Sequence, residues 1–191
     1  MINLPKFEKS FLYNKCYQYL YLYLYLKIKK KKILELGTGY STLIINKYIS
    51  SLKNKISKDI DVKHHVVEPN NNYFNKFREY LTNNNNLNLK IIKYDVDEKN
   101  LIKIIGIDLQ ETYDFIYLDA PSPEWNQIKN LKDKDIFEMK DIYKFEKNCN
   151  FDLLIDCRYP QQEIFKKNKK KYTYIKSYLG SFGLFKNKFR N

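Results

Sequence analysis

The sequence predicts an α/β fold with a mostly parallel sheet, helices on both faces of that sheet, and a C-terminal antiparallel hairpin strand. Two observations carry this prediction. Short apolar runs of strand length alternate with segments of helical period along most of the 191 residues, which is the pattern of parallel strands joined by helical crossovers. Near the end of the chain, two β-rich runs flank the segment from Gly180 to Gly183, as expected of a hairpin.

The length, hydrophobic content and charge of the chain indicate what class of protein it is. A length of 191 residues with 43% hydrophobic residues fits one globular domain with its own core. The formal net charge is +13, and all but three of the 35 basic residues are lysines. The chain is also rich in Asn, Ile and Tyr, which is typical of AT-rich coding sequences. We therefore favour a solvated lysine-rich surface over a nucleic-acid face.

Neither a membrane segment nor a secretory context is indicated. No run approaches the roughly 18 apolar residues of a membrane span, and the first ten residues lack the apolar stretch of a signal peptide. Cys16, Cys149 and Cys157 have neither the spacing of a zinc site nor the number of a disulfide framework. We expect a cytoplasmic protein with reduced thiols and no membrane partner.

Residues 1–32 precede the first strand of the alternating pattern and contain an alternation of Tyr and Leu between Tyr17 and Leu26. Alternation has the strand period, but a Tyr or Leu at every position also lets a helix bury any face. We predict a helical extension over 1–32, followed by one domain over 33–191. An aromatic platform that stacks bases is the alternative for the extension.

The first strand leads into a glycine turn. Ile33–Leu36 is an apolar run, Gly37 and Gly39 permit a sharp turn, and apolar residues at helical spacing follow over 43–52. We expect Ser41 and Thr42 to cap a helix that begins at Leu43. A helix that begins at such a turn presents backbone N–H groups to an anionic ligand group.

The segment Glu35-Leu-Gly-Thr-Gly-Tyr-Ser-Thr42 resembles motif I of the class I S-adenosylmethionine-dependent methyltransferases. The resemblance implies a Rossmann-like three-layer sandwich and S-adenosyl-L-methionine as cofactor, with the acidic residue and the turn backbone at its methionine end. The cofactor-binding residues that it indicates here are Glu35, Gly37, Thr38, Gly39, Ser41 and Thr42. A dinucleotide fingerprint would need glycine at position 42, so NAD is the weaker choice.

The second strand, Val62–Val67, ends in Glu68, which is placed to accept hydrogen bonds from ribose hydroxyls. His64 and His65 are adjacent and should point to opposite faces of that strand. We identify no carboxylate or cysteine in the nearby sequence as their partner, so we expect strand or surface residues and not metal ligands or bases.

The chain then continues with a predicted helix over 70–81 and a third strand, Leu89–Tyr94, closed by Asp95. The family resemblance implies that Asp95 receives the adenine amino group and that the backbone N–H of Val96 meets a ring nitrogen. A short helix is predicted over Leu101–Ile107.

A fourth, fully buried strand runs from Tyr113 to Leu118 and ends in Asp119 and a proline-rich loop. This segment resembles motif IV of the same family, where the methyl acceptor binds. Ligands of open parallel sheets bind at the carboxyl ends of the strands. Asp119 is therefore the candidate catalytic carboxylate.

The last part of the chain contains a fifth strand, Phe151–Ile155, followed by Asp156, a helix over Gln161–Lys167 and the hairpin. Magnesium-dependent O-methyltransferases take metal ligands from positions that resemble Asp119 and Asp156, the second as an Asp-Asn pair. Here Cys157 follows Asp156, and a thiol is a poor ligand for a hard cation. We assign no metal ligands.

The sequence thus predicts a methyltransferase that uses S-adenosyl-L-methionine on an unidentified acceptor. A small molecule or sugar is favoured over RNA as substrate because no separate nucleic-acid domain is present. Two alternatives stay open, an RNA methyltransferase and a lysine-rich RNA-binding protein of the same fold that has lost catalysis. The oligomeric state is not predicted.

Overall fold

A computed structural model of the chain describes residues 22, 32–55, 62–68, 75, 87–90, 94–96, 101–104, 111–119, 138–139, 142–156, 159–176 and 182–189. The helices in these residues are α1 (Tyr40–Lys55), α2 (Ile142–Asn148) and α3 (Tyr159–Lys167). The strands are β1 (Lys32–Leu36), β2 (Lys63–Val67), β3 (Leu87–Lys90), β4 (Tyr94–Val96), β5 (Leu101–Ile104), β6 (Phe115–Leu118), β7 (Glu138–Met139), β8 (Asp152–Asp156), β9 (Tyr172–Lys176) and β10 (Phe182–Asn187).

Seven strands form the main sheet, in the order β3-β2-β1-β6-β8-β10-β9. Strands β3, β2, β1, β6 and β8 are parallel to one another, whereas β10 is antiparallel to both of its neighbours. The chain proceeds from β1 towards one edge of the sheet and later returns to β6 on the other side of β1. Such a reversal places a ligand-binding crevice at the carboxyl ends of β1 and its neighbours.

The two faces of the main sheet are covered by different helices. On one face, Ile45, Tyr48 and Ile49 of α1 pack against strand residues that include Ile33 and Phe115. The other face buries α2 and α3 through side chains that include Ile142, Phe145 and Phe165, against a cluster that includes Leu34 and Ile116. Alternate residues of each strand supply the two cores. This arrangement confirms the three-layer α/β sandwich and the mostly parallel sheet.

The predicted C-terminal hairpin is confirmed, with β9 and β10 paired in antiparallel register. Gly183 lies within β10 and not in the turn. A Cβ atom at Gly183 would lie 2.7 Å from Oε1 of Gln162 and 2.9 Å from Cε2 of Tyr174. Close packing of α3 and β9 on this strand therefore requires glycine.

Two sequence predictions fail in the segments that form the second sheet, of order β4-β5-β7. The third strand is not continuous over Leu89–Tyr94, because β3 ends at Lys90 and β4 begins at Tyr94 in the other sheet. Leu101–Ile104 is the strand β5 and not a helix. A run of four residues is too short to show a period that separates helix from strand.

The predicted helix over 70–81 and the Tyr-Leu alternation over 17–26 lie outside the described residues, apart from Asn75 and Leu22. Both of these residues are helical. Leu22 is fully buried in the core on the α1 face. None of the helices in the described ranges has the length and apolar content needed to cross a bilayer.

Candidate functional site

The glycine turn after β1 joins the ends of three strands. Gly37 has φ of 103°, a conformation that costs little only for glycine. Its backbone N–H donates to the carbonyl of Val67 at 2.8 Å, and the N–H of Asp119 donates to the carbonyl of Leu36 at 3.0 Å. The carboxyl ends of β2, β1 and β6 are therefore held side by side.

Glu68 lies directly after β2 and is bound to this turn. One oxygen, Oε2, accepts hydrogen bonds from the backbone N–H of Thr38 at 2.8 Å and from its hydroxyl at 2.6 Å. The side chain is almost completely buried. The fold thus brings together Gly37, Thr38 and Glu68, which the sequence analysis had assigned to one site although Thr38 and Glu68 are 30 positions apart.

Helix α1 begins at Tyr40, so the predicted helix start at Leu43 is wrong. Ser41 and Thr42 lie in the first turn of the helix and do not precede it as caps. The hydroxyl of Thr42 accepts a hydrogen bond from the N–H of Gly39 at 3.0 Å, which is the backward half of a capping box. The first N–H groups of α1 consequently face the carboxyl edge of the sheet, where they favour an anionic group.

Space remains in front of Gly39. A Cβ atom built on this residue would have one described atom within 4 Å, the hydroxyl oxygen of Ser41 at 3.8 Å. Packing of the described residues therefore does not require glycine at position 39. A ligand that approaches the backbone at this point would require it, because it would occupy the space into which a side chain would extend.

Glu35 is fully buried on the α1 side of β1. Its Oε1 accepts a hydrogen bond from the hydroxyl of Ser41, and its Oε2 lies 2.9 Å from Nε2 of His64. Burial raises the pKa of Glu35 from 4.5 to about 8 and lowers the pKa of His64 from 6.5 to about 3. Removal from water disfavours the charged form of each group. Through its hydrogen bond with Ser41, Glu35 contacts the start of α1 from inside the protein.

The contact between Glu35 and His64 was missed by the sequence analysis, which sought partners for the histidines only nearby in the chain. The parallel register pairs Ile33 with His64 and Glu35 with Val66, so Glu35 and His64 share one face of adjacent strands. The signal was present in the predicted parallel pairing of the first two strands. His65 contacts the Tyr113 hydroxyl at 2.9 Å and the Glu111 carboxylate at 3.1 Å.

The remaining predicted site residues do not all lie at the main sheet. Asp119 directly follows β6 and is partly exposed, and Asp156 is the buried last residue of β8. Asp95 and Val96 belong to β4 of the second sheet, where they pair in register with Lys103 and Ile102. The expectation that Asp95 ends a strand of the main sheet is wrong. The described ranges contain no group of three or more His, Cys, Asp or Glu residues that could hold a metal ion.

Solved structures with this fold are known. A precorrin-6y C5,15-methyltransferase from Geobacter metallireducens GS-15 superposes with a TM-score of 0.51 and 11% identity, over 82% of this chain and 71% of that chain. The N-methyltransferase NodS from Bradyrhizobium japonicum WM9, in complex with S-adenosyl-L-homocysteine, superposes with a TM-score of 0.50 and 10% identity, over 95% of this chain and 89% of that chain. The sequence matches no protein-family model and no curated protein. The chain therefore has the Rossmann-like fold of class I methyltransferases, as the motif I resemblance predicted.

Proposed function

We propose that this protein is a methyltransferase that binds S-adenosyl-L-methionine at the carboxyl ends of β1, β2 and β6. One observation carries the proposal most strongly, the turn in which Gly37 adopts a positive φ while Thr38 donates two hydrogen bonds to Glu68. A carboxylate at this position, next to a glycine turn and a helix start, offers acceptors for ribose hydroxyls. The fold shared with known methyltransferases supports the same function.

Each residue of the turn has a defined task in this proposal. Glu68 accepts hydrogen bonds from the ribose with acceptor positions beyond the two that hold Thr38, since an ionised carboxylate has about four. Gly39 leaves room for close approach to the backbone. The first N–H groups of α1 bind the carboxylate of the methionine end. Glu35, Ser41 and Thr42, which the sequence analysis assigned to cofactor binding, are fully buried, so their proposed part in binding is to hold the turn and the helix start in place.

Thr42 also bears on the choice between cofactors. The third glycine of a dinucleotide fingerprint lets the helix pack closely on the strand. Here the Thr42 side chain is buried at that position and binds the N–H of Gly39. This geometry supports S-adenosyl-L-methionine over NAD.

The proposed role toward the methyl acceptor is inferred from where one carboxylate lies in the fold. We assign Asp119, which directly follows the central strand β6, to the methyl acceptor as catalytic carboxylate. The cofactor supplies a methyl group on a sulfonium, so the chain must chiefly align the acceptor and take up a proton where the acceptor carries one. Asp95 and Val96 are proposed to contact the adenine.

A small molecule or sugar is the proposed acceptor in preference to RNA. Several lysines in the described residues lie at the amino edge of the main sheet, opposite the proposed site, whereas Lys90 and Lys176 end β3 and β9 at the carboxyl edge. Lys32 and Lys63 begin β1 and β2, Lys169–Lys171 precede β9, and the Lys188 ammonium contacts the carbonyl of Lys169. Among the described strands, more lysines lie at the amino edge than at the carboxyl edge, and an RNA acceptor would favour the reverse.

We further propose that the chain before β1 forms a helical extension of the catalytic domain, which the buried, helical Leu22 supports. The predicted boundary between residues 32 and 33 moves by one residue, because Lys32 belongs to β1. A cytoplasmic location is proposed on the composition of the chain.

Calorimetric titration with S-adenosylmethionine, S-adenosylhomocysteine and NAD tests the function. We expect binding of the first two, and about 10- to 100-fold weaker binding in Glu68→Gln, since hydrogen bonds to a charged group contribute about 1.5 to 3 kcal/mol. Glu163→Gln, the same change at a carboxylate that is 59% exposed on α3, is the matched control. Absence of binding by the unaltered protein would refute the proposal, and salt-sensitive RNA binding in its place would favour the non-catalytic alternative.

A further inference from the structure

We infer that His64 is a positioning residue for the proposed cofactor site, and that it acts through Glu35 on Thr42 and the glycine turn. The expected effect of His64 on cofactor binding rests on the proposed function. The connection from His64 through Glu35 to the glycine turn lies within the protein and does not depend on that function. It joins the middle of β2 to the backbone of Gly39 through groups that are almost all buried.

The connection can be followed bond by bond. Nε2 of His64 lies 2.9 Å from Oε2 of Glu35, and both side chains are fully buried. The carboxyl of Glu35 is hydrogen-bonded to the hydroxyls of Ser41 and Thr42. The Thr42 hydroxyl in turn accepts the N–H of Gly39 at 3.0 Å. Any change at Glu35 therefore reaches the turn through one intervening side chain.

The hydrogen-bond directions favour a neutral pair. A protonated Glu35 can donate from Oε2 to Nε2 of His64 while Oε1 accepts from Ser41. Nδ1 of His64 is buried and has no hydrogen-bond partner among the described residues. When Glu35 donates to Nε2, the imidazole proton lies on Nδ1, as it also would in a charged imidazolium. The neutral pair is favoured because it buries no charge. One proton is thus held between the two side chains.

Loss of this proton leaves a buried anion that attracts the Ser41 and Thr42 hydroxyls more strongly and ends donation to His64. The charged group near Glu35 is Glu68, whose charge opposes the ionisation. The other titratable groups on the surrounding described elements, besides His64, are the phenols of Tyr40 and Tyr48 on α1 and Tyr117 on β6. The turn geometry should therefore change as the pair loses its proton in the mildly basic range.

Selective labelling of glycine with 15N tests the connection without any ligand, because the chain has only 5 glycines. We expect the amide signal of Gly39 to shift with a midpoint near pH 8, and the signal of Gly183 in β10 to stay constant. In Glu35→Gln, whose amide can still donate to His64 and accept from Ser41, the Gly39 shift should disappear. A Gly39 signal that titrates equally in Glu35→Gln, or does not titrate at all, overturns the inference.

Measurements of ligand affinity then test whether His64 and Glu35 affect the proposed cofactor site. Affinity for S-adenosylhomocysteine should fall between pH 7 and 9 in the unaltered protein and stay constant in Glu35→Gln. His64→Leu should weaken binding about tenfold at pH 7, with partial recovery in His64→Gln, which keeps a hydrogen-bonding group. His65→Gln, the same change on the opposite face, should bind normally. Normal binding by a folded His64→Leu overturns the inference, whereas failure of the unaltered protein to bind at any pH refutes only the proposed function.

Discussion

The buried pair of Glu35 and His64 should give the protein a stability plateau at mildly acidic pH. The folded pKa of Glu35 is about 8 against 4.5, so as pH rises from 4.5 the unfolded chain releases a proton that the folded protein keeps. This lowers stability with rising pH. The folded pKa of His64 is about 3 against 6.5, so as pH falls from 6.5 the unfolded chain takes up a proton that the folded protein excludes. This lowers stability with falling pH.

Between pH 4.5 and 6.5 the two effects oppose each other and cancel. Above pH 6.5 only the Glu35 term remains, and each pH unit costs about 1.4 kcal/mol. From pH 6.5 to the Glu35 midpoint near 8, the expected loss in free energy of unfolding is therefore about 2 kcal/mol. The groups titrate as a coupled pair, so the loss belongs to the pair.

Urea unfolding followed by circular dichroism at pH 5.5, 6.5, 7.25 and 8 measures this loss. Glu35→Gln cannot release the proton, so its stability should lack the decline that the unaltered protein shows above pH 6.5. Glu163→Gln, at an exposed carboxylate, should follow the unaltered protein. Equal slopes in the unaltered protein and in Glu35→Gln between pH 6.5 and 8 would refute the reasoning.

Three further predictions concern packing and backbone, each checked by urea unfolding. Gly37→Ala should lose about 1 to 2 kcal/mol because of the φ of 103°, whereas Gly39→Ala should lose less, through the poorer helix cap alone, and bind S-adenosylhomocysteine more weakly; equal stability losses would contradict this contrast. Gly183→Ala should lose about 1 to 3 kcal/mol through its clash with Gln162, and the loss should shrink when Gln162→Ala is added. Phe165→Ala, in the α3 core, should lose about 3 to 5 kcal/mol, and a loss below 1 kcal/mol would contradict that packing.

The main sheet could be predicted from sequence because its central strands are buried on both faces. Ile33–Leu36 and Tyr113–Leu118 are near-continuous apolar runs that end in a glycine turn or an acidic residue. The structure has strands there, β1 over Lys32–Leu36 and β6 over Phe115–Leu118, so β6 begins two residues later than predicted. The second sheet could not be predicted in the same way. Leu101–Ile104 is too short to show a period, and although β4 is close to it in the chain, its other partner β7 lies more than 30 residues away.

The site was predicted in part. Motif I and the strand-end rule indicated Gly37, Thr38 and Glu68, and the fold brings these three together. The helix start was misplaced because Ser41 and Thr42 resemble caps by residue type, while Gly39 takes that place in the structure. The pairing of His64 with Glu35 follows from the register of β1 and β2, which composition and local motifs do not contain.

Strand β10 enters the main sheet between β8 and β9, although it follows both of them in the chain. During synthesis, β8 therefore keeps an open edge, and β9 has no neighbour in the sheet, until residues 182–187 have been made. Phe182 and Leu184 complete the core on the α1 face, and Phe185 completes the core on the α3 face. The cores on both faces of the main sheet are thus completed in one late step. Before that step, a partner that shields the edge of β8 in nascent chains would limit aggregation.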